Sequence, residues 1–379
     1  MDGALTNSVP VFYIYFAQNA QALPASHYSW TTMRLTLSFG NRVVLLTSPA
    51  VVAPPDIARC LHRGDVDALA RRSIELHHLR KSVRSNSTST GSALSRFLGH
   101  IRNVERYFVM HEFMKEHQLQ HAMMLDSDAA MTSWIGDILP WMSAQRCDSA
   151  LIMSPECRPL SAYCWMAWFG TSLISSRVLA DFLDFISKIF HEEVIEAISR
   201  ATPMARAGAQ PRWNDMMTTY AFATVADHLR WPEAGLTDYE AMYHIHLPRS
   251  RHRWHLCDLQ PLGFTNNHVE FMPRGGPLHT GLPELMTPGP WSLYTRNLTF
   301  VNGGRRAGGA SGPPATRLYW NGRPVRSMHF WLQKSTAFEV LPPRTHLEAG
   351  SCTLPNYHLT SLTKWWAKFA YLFGLSRRQ

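Results

Sequence analysis

The chain has 379 residues and a mass of 43.1 kDa, room for one large α/β domain or two smaller ones around an ample core. Apolar residues at 45% and charged residues at 17% exclude a disordered chain. The formal charge of +9, from 37 basic and 28 acidic side chains, favours an anionic partner. Basic pairs such as Arg71-Arg72, Arg305-Arg306 and Arg377-Arg378 are too scattered for a dedicated nucleic-acid protein.

In chain order, Pro10–Phe16 reads as a buried strand, followed by a polar Ala17-Gln18-Asn19 loop. Helical spacing runs across His27–Ser38, and Arg42–Thr47 is a second buried strand, which together predict a parallel βαβ unit. Neither GxGxxG nor a Walker A sequence is present. Asp56–His77 carries charges at helical spacing and predicts one or two surface helices. Ser82–Ser95 is polar and low in complexity, and is expected to be a loop. From Leu94 to Gln118, Phe97, Ile101, Val104, Phe108 and Met114 recur at three or four and predict an amphipathic helix.

Next comes His121-Ala122-Met123-Met124-Leu125, an apolar strand that stops abruptly at Asp126-Ser127-Asp128. Carboxylates two apart on an extended chain share a side, and two hard oxygen ligands at a strand's end make a seat for Mg²⁺ or Mn²⁺. The plainer reading is a turn that caps the following helix. Helices are expected over Ile135–Ala144, Ser175–Phe190 and Met217–Leu229, with Ser175 or Ser176 capping the second and Asn214 or Asp215 starting the third; Ser149–Met153 is a strand. For Asp215 the plainer reading is an N-cap.

The later region is loop-rich. His244, His246, His252, His255 and Cys257 cluster within Tyr243–Cys257, but match neither HExxH nor zinc-finger spacing and read as structural or surface. Asn302–Ala315 is glycine-rich and flexible in composition, and Arg317–Trp320, Asn321-Gly322 and Val325–Phe330 carry a hairpin signature. Leu362, Trp365, Trp366, Phe369 and Leu372 recur at helical spacing beside Lys364 and Lys368. That C-terminal amphipathic helix, over 361–379, either docks on the domain or touches a membrane surface through Leu362–Phe373. The six cysteines include no CxxC and are too few and irregular to read as a disulfide framework. No signal peptide or membrane span is expected. Sequons at Asn86 and Asn297 permit a secretory compartment, so both a cytoplasmic and a Golgi or secretory-associated location stay open.

The order of these pieces resembles the GT-A class of nucleotide-sugar-dependent glycosyltransferases, in particular the glycogenin and galactinol-synthase-like group. Val11–Asn19 is similar to the nucleotide-binding start of that fold, and Phe113–Ile138 to its helix–strand–DxD passage. Gly170-Thr171-Ser172 resembles its acceptor-side stretch, and Asn214-Asp215-Met216 its "DM" segment. Met328-His329-Phe330 with Lys334 resembles its His-Phe…Lys ending, although Leu332 stands where the pattern has Gly and Lys334 comes one place early. The resemblance implies an α/β, GT-A-like fold with a mostly parallel central sheet flanked by helices and a loop-rich C-terminal part. It implies one catalytic domain over 1–360, with a nucleotide-binding half (1–153) and an acceptor and metal-closure half (154–360). It further implies Mn²⁺ (or Mg²⁺) held by Asp126, Asp128 and His329. Donor binding falls to Tyr15, Ala17, Asp126, Ser127 and Lys334, and a catalytic part to Asp215. The implied partners are a UDP- or GDP-sugar donor and a glycan, protein or small-molecule acceptor.

Two rivals keep the same residues in play. A haloacid-dehalogenase-type phosphatase also ends a strand in DxD. Its motif normally lies in the first strand, with Thr or Val where Ala130 stands here. A non-catalytic carbohydrate-binding or scaffold protein on the same fold would keep the aromatic richness (13 Trp, 12 Tyr, 18 Phe) for stacking or core.

Overall fold

A computed structural model describes residues 9–16, 23–24, 27–86, 101–154, 166–189, 215–226, 252–259, 262–264, 298–302, 316–320 and 323–329. Their centre is a seven-stranded sheet. Its strands in chain order are β1 (Val11–Tyr15), β2 (Val43–Thr47), β3 (Leu61–Asp65), β4 (His121–Leu125), β6 (Ser149–Ser154), β7 (Met166–Ser175) and β8 (Leu256–Asp258). They lie in the order β3-β2-β1-β4-β7-β6-β8. β3, β2, β1 and β4 run parallel, β7 is antiparallel to both neighbours, and β8 is parallel to β6. The fold is therefore α/β with a mostly parallel sheet, as expected.

Both faces of that sheet are covered, which is why β1, β2 and β4 are apolar on both sides rather than alternating. On one face Val11, Tyr13, Val43, Leu45, Met123 and Leu125 pack with helix α1 (Tyr28–Ser38) through Trp30, Met33 and Leu37. The short α2 (Pro55–Ala58) joins them through Ile57. On the other face Phe12, Val44, Leu46, Ala122 and Met124 meet α3 (Val66–Arg72), α4 (Ile74–Asn86) and α5 (Ile101–Glu116). Thus β1, β2 and β3 are wound with helices on one face, and the return from β3 to β4 uses the other. The winding reverses between β1 and β4.

Several expectations change here. Asp56–His77 is not purely helical, because β3 intervenes between α2 and α3. Its sequence, Leu-His-Arg-Gly-Asp, has little strand character and is held by pairing with β2 at the sheet edge. Asp65 then caps α3, its Oδ1 accepting from the amides of Asp67 (2.9 Å) and Ala68 (3.1 Å). The expected Ser82 loop is helical as far as Asn86. Leu76, Leu79 and Val83 are buried in the core at spacings of three and four, each contributing roughly 1.5–3 kcal/mol, which outweighs the polar composition. Residues 87–95 lie outside the described residues.

After β4 the chain forms β5 (Ala129–Met131), a 3₁₀ turn (Ile135–Asp137) and α6 (Leu139–Gln145). β7 lies antiparallel between β4 and β6. Ser175 caps the next helix, α7 (Ser176–Ile189), accepting from the Val178 amide at 3.3 Å. Helix α8 (Asp215–Ala226) packs on it through Phe182, Phe185 and Phe222, with ring centroids 5.1–5.6 Å apart. The hairpin signature is present as β9 (Leu298–Asn302), β10 (Thr316–Trp320) and β11 (Arg323–Val325), with Trp320 opposite Arg323. It does not continue to residue 330. β12 (Ser327–His329) leaves that sheet and pairs antiparallel with β5. Arg326 sits at the changeover, its amide donating to the Gly263 carbonyl (2.8 Å) and its Nε to the Leu262 carbonyl (3.0 Å).

The cysteine expectation is also overturned. Cys147 and Cys257 form a disulfide across 110 residues, and Cys60 is disulfide-bonded too. Regular spacing is a poor guide when the two partners meet only through adjacent strands. Among the described residues no helix is long and apolar enough to cross a membrane. Residues 361–379, with the expected amphipathic helix, lie outside the described residues.

Candidate functional site

In open α/β sheets, ligands collect outside the carboxyl ends of the strands where the winding reverses. Here that place is the end of β1 and β4. Tyr15 ends β1, half-buried, its hydroxyl 3.2 Å from Nε2 of His27. Asp126 follows the last residue of β4.

Asp126-Ser127-Asp128 is not extended. The Ala129 amide donates to the Asp126 carbonyl at 2.9 Å, closing a tight turn before β5. The strand-alternation reason for the two carboxylates sharing a side therefore fails, and each has its own setting. Three anchors hold the turn. The Asp126 amide donates to the Gly170 carbonyl (2.8 Å), Thr32 Oγ1 donates to the Ser127 carbonyl (3.0 Å), and the Tyr13 hydroxyl donates to the Ala129 carbonyl (2.9 Å). Tyr13 is fully buried, and desolvation pushes its phenol above the ordinary range, so it stays a neutral donor.

The Asp126 side chain is gripped by Arg106, from the middle of α5, in an ion pair. The same guanidinium reaches Asp215 Oδ2 at 3.3 Å and the Tyr107 hydroxyl at 3.1 Å. All three charged side chains are largely withdrawn from water: Arg106 is 15% exposed, Asp126 24% and Asp215 10%. Burial works against the Arg106 charge, but Tyr107, Asp126 and Asp215 outweigh it and hold its pKa above even the ordinary arginine value. Arg106 Nε is buried with no hydrogen-bond partner among the described residues. On the strand side, Gly170 leaves the space that the carboxylate occupies. A Cβ at Gly170 would stand 2.2 Å from Asp126 Oδ2 and 2.5 Å from its Cγ.

Arg106 is the residue that sequence reading missed. It lies 20 residues from Asp126 and 109 from Asp215. The signal was present in weak form, as an arginine beside the buried Val104, Tyr107 and Phe108 of an amphipathic helix. Asp215 begins α8 as expected, and Thr219 Oγ1 donates to its carbonyl at 2.9 Å. Its side chain, however, faces Arg106 and the end of β4, so it is more than a helix cap.

Asp128 is buried, at 6% exposure. His329 comes from the far end of the described chain. β12 pairs with β5 so that His329 stands opposite Ala129, Met328 opposite Ala130 and Ser327 opposite Met131. The Thr132 amide closes the ladder on the Arg326 carbonyl at 2.9 Å. The backbone of His329 is thus one residue from Asp128 across a strand pair. Ala17 and Lys334 lie outside the described residues.

No family model matches the chain, and no curated protein matches it. Among solved structures, the chain is similar to mouse xyloside xylosyltransferase 1 in its apo form. The identity is 9% and the TM-score 0.34, over 65% of this chain and 96% of that one. A likeness that slight carries no weight for the chemistry of this site.

One other side-chain group has ligand-like geometry. Polar atoms of Cys147, His255 and Cys257 lie within 4.8 Å of one another, yet both sulfurs are spent in the disulfide. Of the expected histidine cluster, His252 stacks obliquely on Trp254 with centroids 5.2 Å apart. Arg177 lies over that indole at 5.6 Å, and Trp254 Nε1 donates to Asp181 at 2.8 Å. Those contacts are structural. His244 and His246 lie outside the described residues.

Proposed function

We propose that the chain is a metal-dependent glycosyltransferase of GT-A-like fold, moving a sugar from a UDP- or GDP-sugar to an acceptor hydroxyl. The observation that carries the reading is the register of β12 on β5. A histidine roughly 200 residues downstream is set beside an acidic turn that caps β4 where the sheet reverses its winding. Against the phosphatase, three strands precede β4, the strand that ends in the acidic turn.

The donor set suits Mn²⁺ or Mg²⁺: Asp128 offers a carboxylate in a sheltered position and His329 an imidazole, a pairing that Mn²⁺ accepts. When bound, the ion would offset the charge that develops on the departing diphosphate. Asp126 is already committed to Arg106, which favours a role in orienting the donor, directly or through the ribose, over that of chief metal ligand. Tyr15, Ala17 and Ser127 line the donor side in this reading, and Lys334 adds a point charge for the diphosphate. Asp215, ion-paired with Arg106, is suited to accept a hydrogen bond and orient the acceptor hydroxyl rather than to take its proton outright.

The test is a panel of nucleotide sugars screened for thermal stabilisation and for hydrolysis or transfer, with and without Mn²⁺. Stabilisation by one UDP- or GDP-sugar that needs Mn²⁺ and disappears in Asp128→Asn and His329→Gln is expected. Activity surviving both substitutions removes the metal assignment. Binding by no member of the panel supports the scaffold protein instead.

A further inference from the structure

The Cys147–Cys257 bond lies at the β8 edge of the sheet, three strand positions from β4, which leads into the acidic turn. Cys147 sits at the turn into β6, and Cys257 is the central residue of β8, where it pairs with Ala150. The bond spans 110 residues, enclosing β6, β7, α7 and α8, and staples the three-residue edge strand β8 to its neighbour. Beyond β8, the carbonyls of Leu262 and Gly263 seat Arg326 ahead of β12, and the Leu259 carbonyl accepts from the amides of Leu262 and Phe264.

His255 completes the arrangement. Its amide donates to Asp148 Oδ2 at 2.7 Å, and the Asp148 amide returns a bond to the His255 carbonyl at 2.8 Å. Its Nδ1 lies 2.9 Å from the Arg146 carbonyl. A carbonyl only accepts, so Nδ1 carries the hydrogen and Nε2 presents its lone pair. Nε2 stands 3.4 Å from Cys257 Sγ.

We propose that Cys147 and Cys257 are a structural disulfide closed in an oxidising compartment, and that His255 is the base that prepares Cys257 for its closure. In the reduced chain, Nε2 takes the proton of the Cys257 thiol, leaving the thiolate that attacks. The oxidant is a disulfide of the glutathione or dithiol-carrier class. Cys257 attacks it to form a mixed disulfide, releasing one thiol of the oxidant. The Cys147 thiolate then attacks Cys257 Sγ, closing the bond and releasing the second thiol. Two electrons pass to the oxidant, and the two protons of the cysteines end on its thiols. Cys60, disulfide-bonded as well, points to the same compartment. This goes beyond the glycosyl-transfer reading and stands without it.

The test uses the full chain in expressing cells lysed directly into N-ethylmaleimide, so that thiols are trapped as they stand, followed by peptide mapping without reductant. The Cys147 and Cys257 peptides are expected joined to each other. Alkylated Cys147 and Cys257, or either joined to a different cysteine, overturns the pairing. For His255, the chain is reduced under native conditions and given oxidised glutathione. Closure in His255→Gln is expected to be roughly tenfold slower than in the unaltered chain. Alkylation of reduced Cys257 by iodoacetamide should slow as well, while that of Cys147 does not. Equal rates in both measurements overturn the role of His255.

Discussion

Gly170→Ala probes the centre of the site without touching a charged group. The new methyl would stand 2.2, 2.5 and 2.6 Å from Oδ2, Cγ and Oδ1 of Asp126, closer than any non-bonded contact allows. The carboxylate has to withdraw by about 1 Å. It is bound on one side by Arg106, and its own amide is held by the Gly170 carbonyl at 2.8 Å. Either the ion pair opens or β7 moves away from β4. Overpacking alone costs about 1–3 kcal/mol. Weakening a sheltered ion pair raises the expected total to about 2–4 kcal/mol in urea unfolding. Gly64→Ala is the control: its Cβ would meet Leu46 Cδ2 at 2.6 Å and the Phe113 ring at 3.1 Å, a core clash remote from the acids. If the proposed function holds, Gly170→Ala also weakens nucleotide-sugar binding by on the order of 100-fold, the usual penalty for a group misplaced by 1 Å. Gly64→Ala, in contrast, leaves binding intact. A Gly170→Ala protein as stable as the unaltered chain would refute the placement of Asp126 against β7.

Arg106→Met strands two sheltered carboxylates side by side and should cost about 2–4 kcal/mol by denaturant titration. Adding Asp126→Asn to it should recover part of that loss, and strict additivity would show that the three groups are not one network. Tyr13→Phe removes the donor to the Ala129 carbonyl and the 2.6 Å bond to Thr36 Oγ1, for about 1–3 kcal/mol. It should also speed hydrogen exchange at the Met131 amide, which rests on Thr36. Burial lowers the pKa of His111 and of His121 below the usual histidine value. The unfolded chain therefore binds those protons first. Their contribution to stability is present above about pH 6.5 and is lost as the pH falls through the lower folded values. Replacing His121 by Gln should flatten that acid slope. Reduction of Cys147–Cys257 should cost about 2–4 kcal/mol, the range for a cross-link closing a long loop, and equal stability with and without reductant would contradict it.

Much of the sheet and part of the site could be read in advance because their causes are local. Val11–Tyr15, Val43–Thr47 and His121–Leu125 are apolar on both faces, and a strand needs that composition only when helices cover both sides. The acidic turn was visible because two carboxylates interrupt such a run, and Asp215 because it opens a helix. β3 escaped, since Leu-His-Arg-Gly-Asp is a strand only by virtue of pairing with β2. The Ser82 loop escaped for the opposite reason: Leu76, Leu79 and Val83 dock on the core and carry the helix through a polar stretch.

By itself, then, the sequence determined the α/β class, the βαβ opening and the position of Asp126-Ser127-Asp128 at a strand's end. All of these follow from apolar period and from breaks in it, which act over a few residues. Only the tertiary structure decided what each of those acids does. It turned the triplet out of the strand, set Arg106 between Asp126 and Asp215, and required Gly170 to be bare beneath the carboxylate. It also brought β12 to β5 and Cys147 to Cys257. These are contacts between segments 20 to 200 residues apart, and their partners are chosen by how the sheet and its two layers of helices pack. Nothing in the local pattern of either segment records that choice.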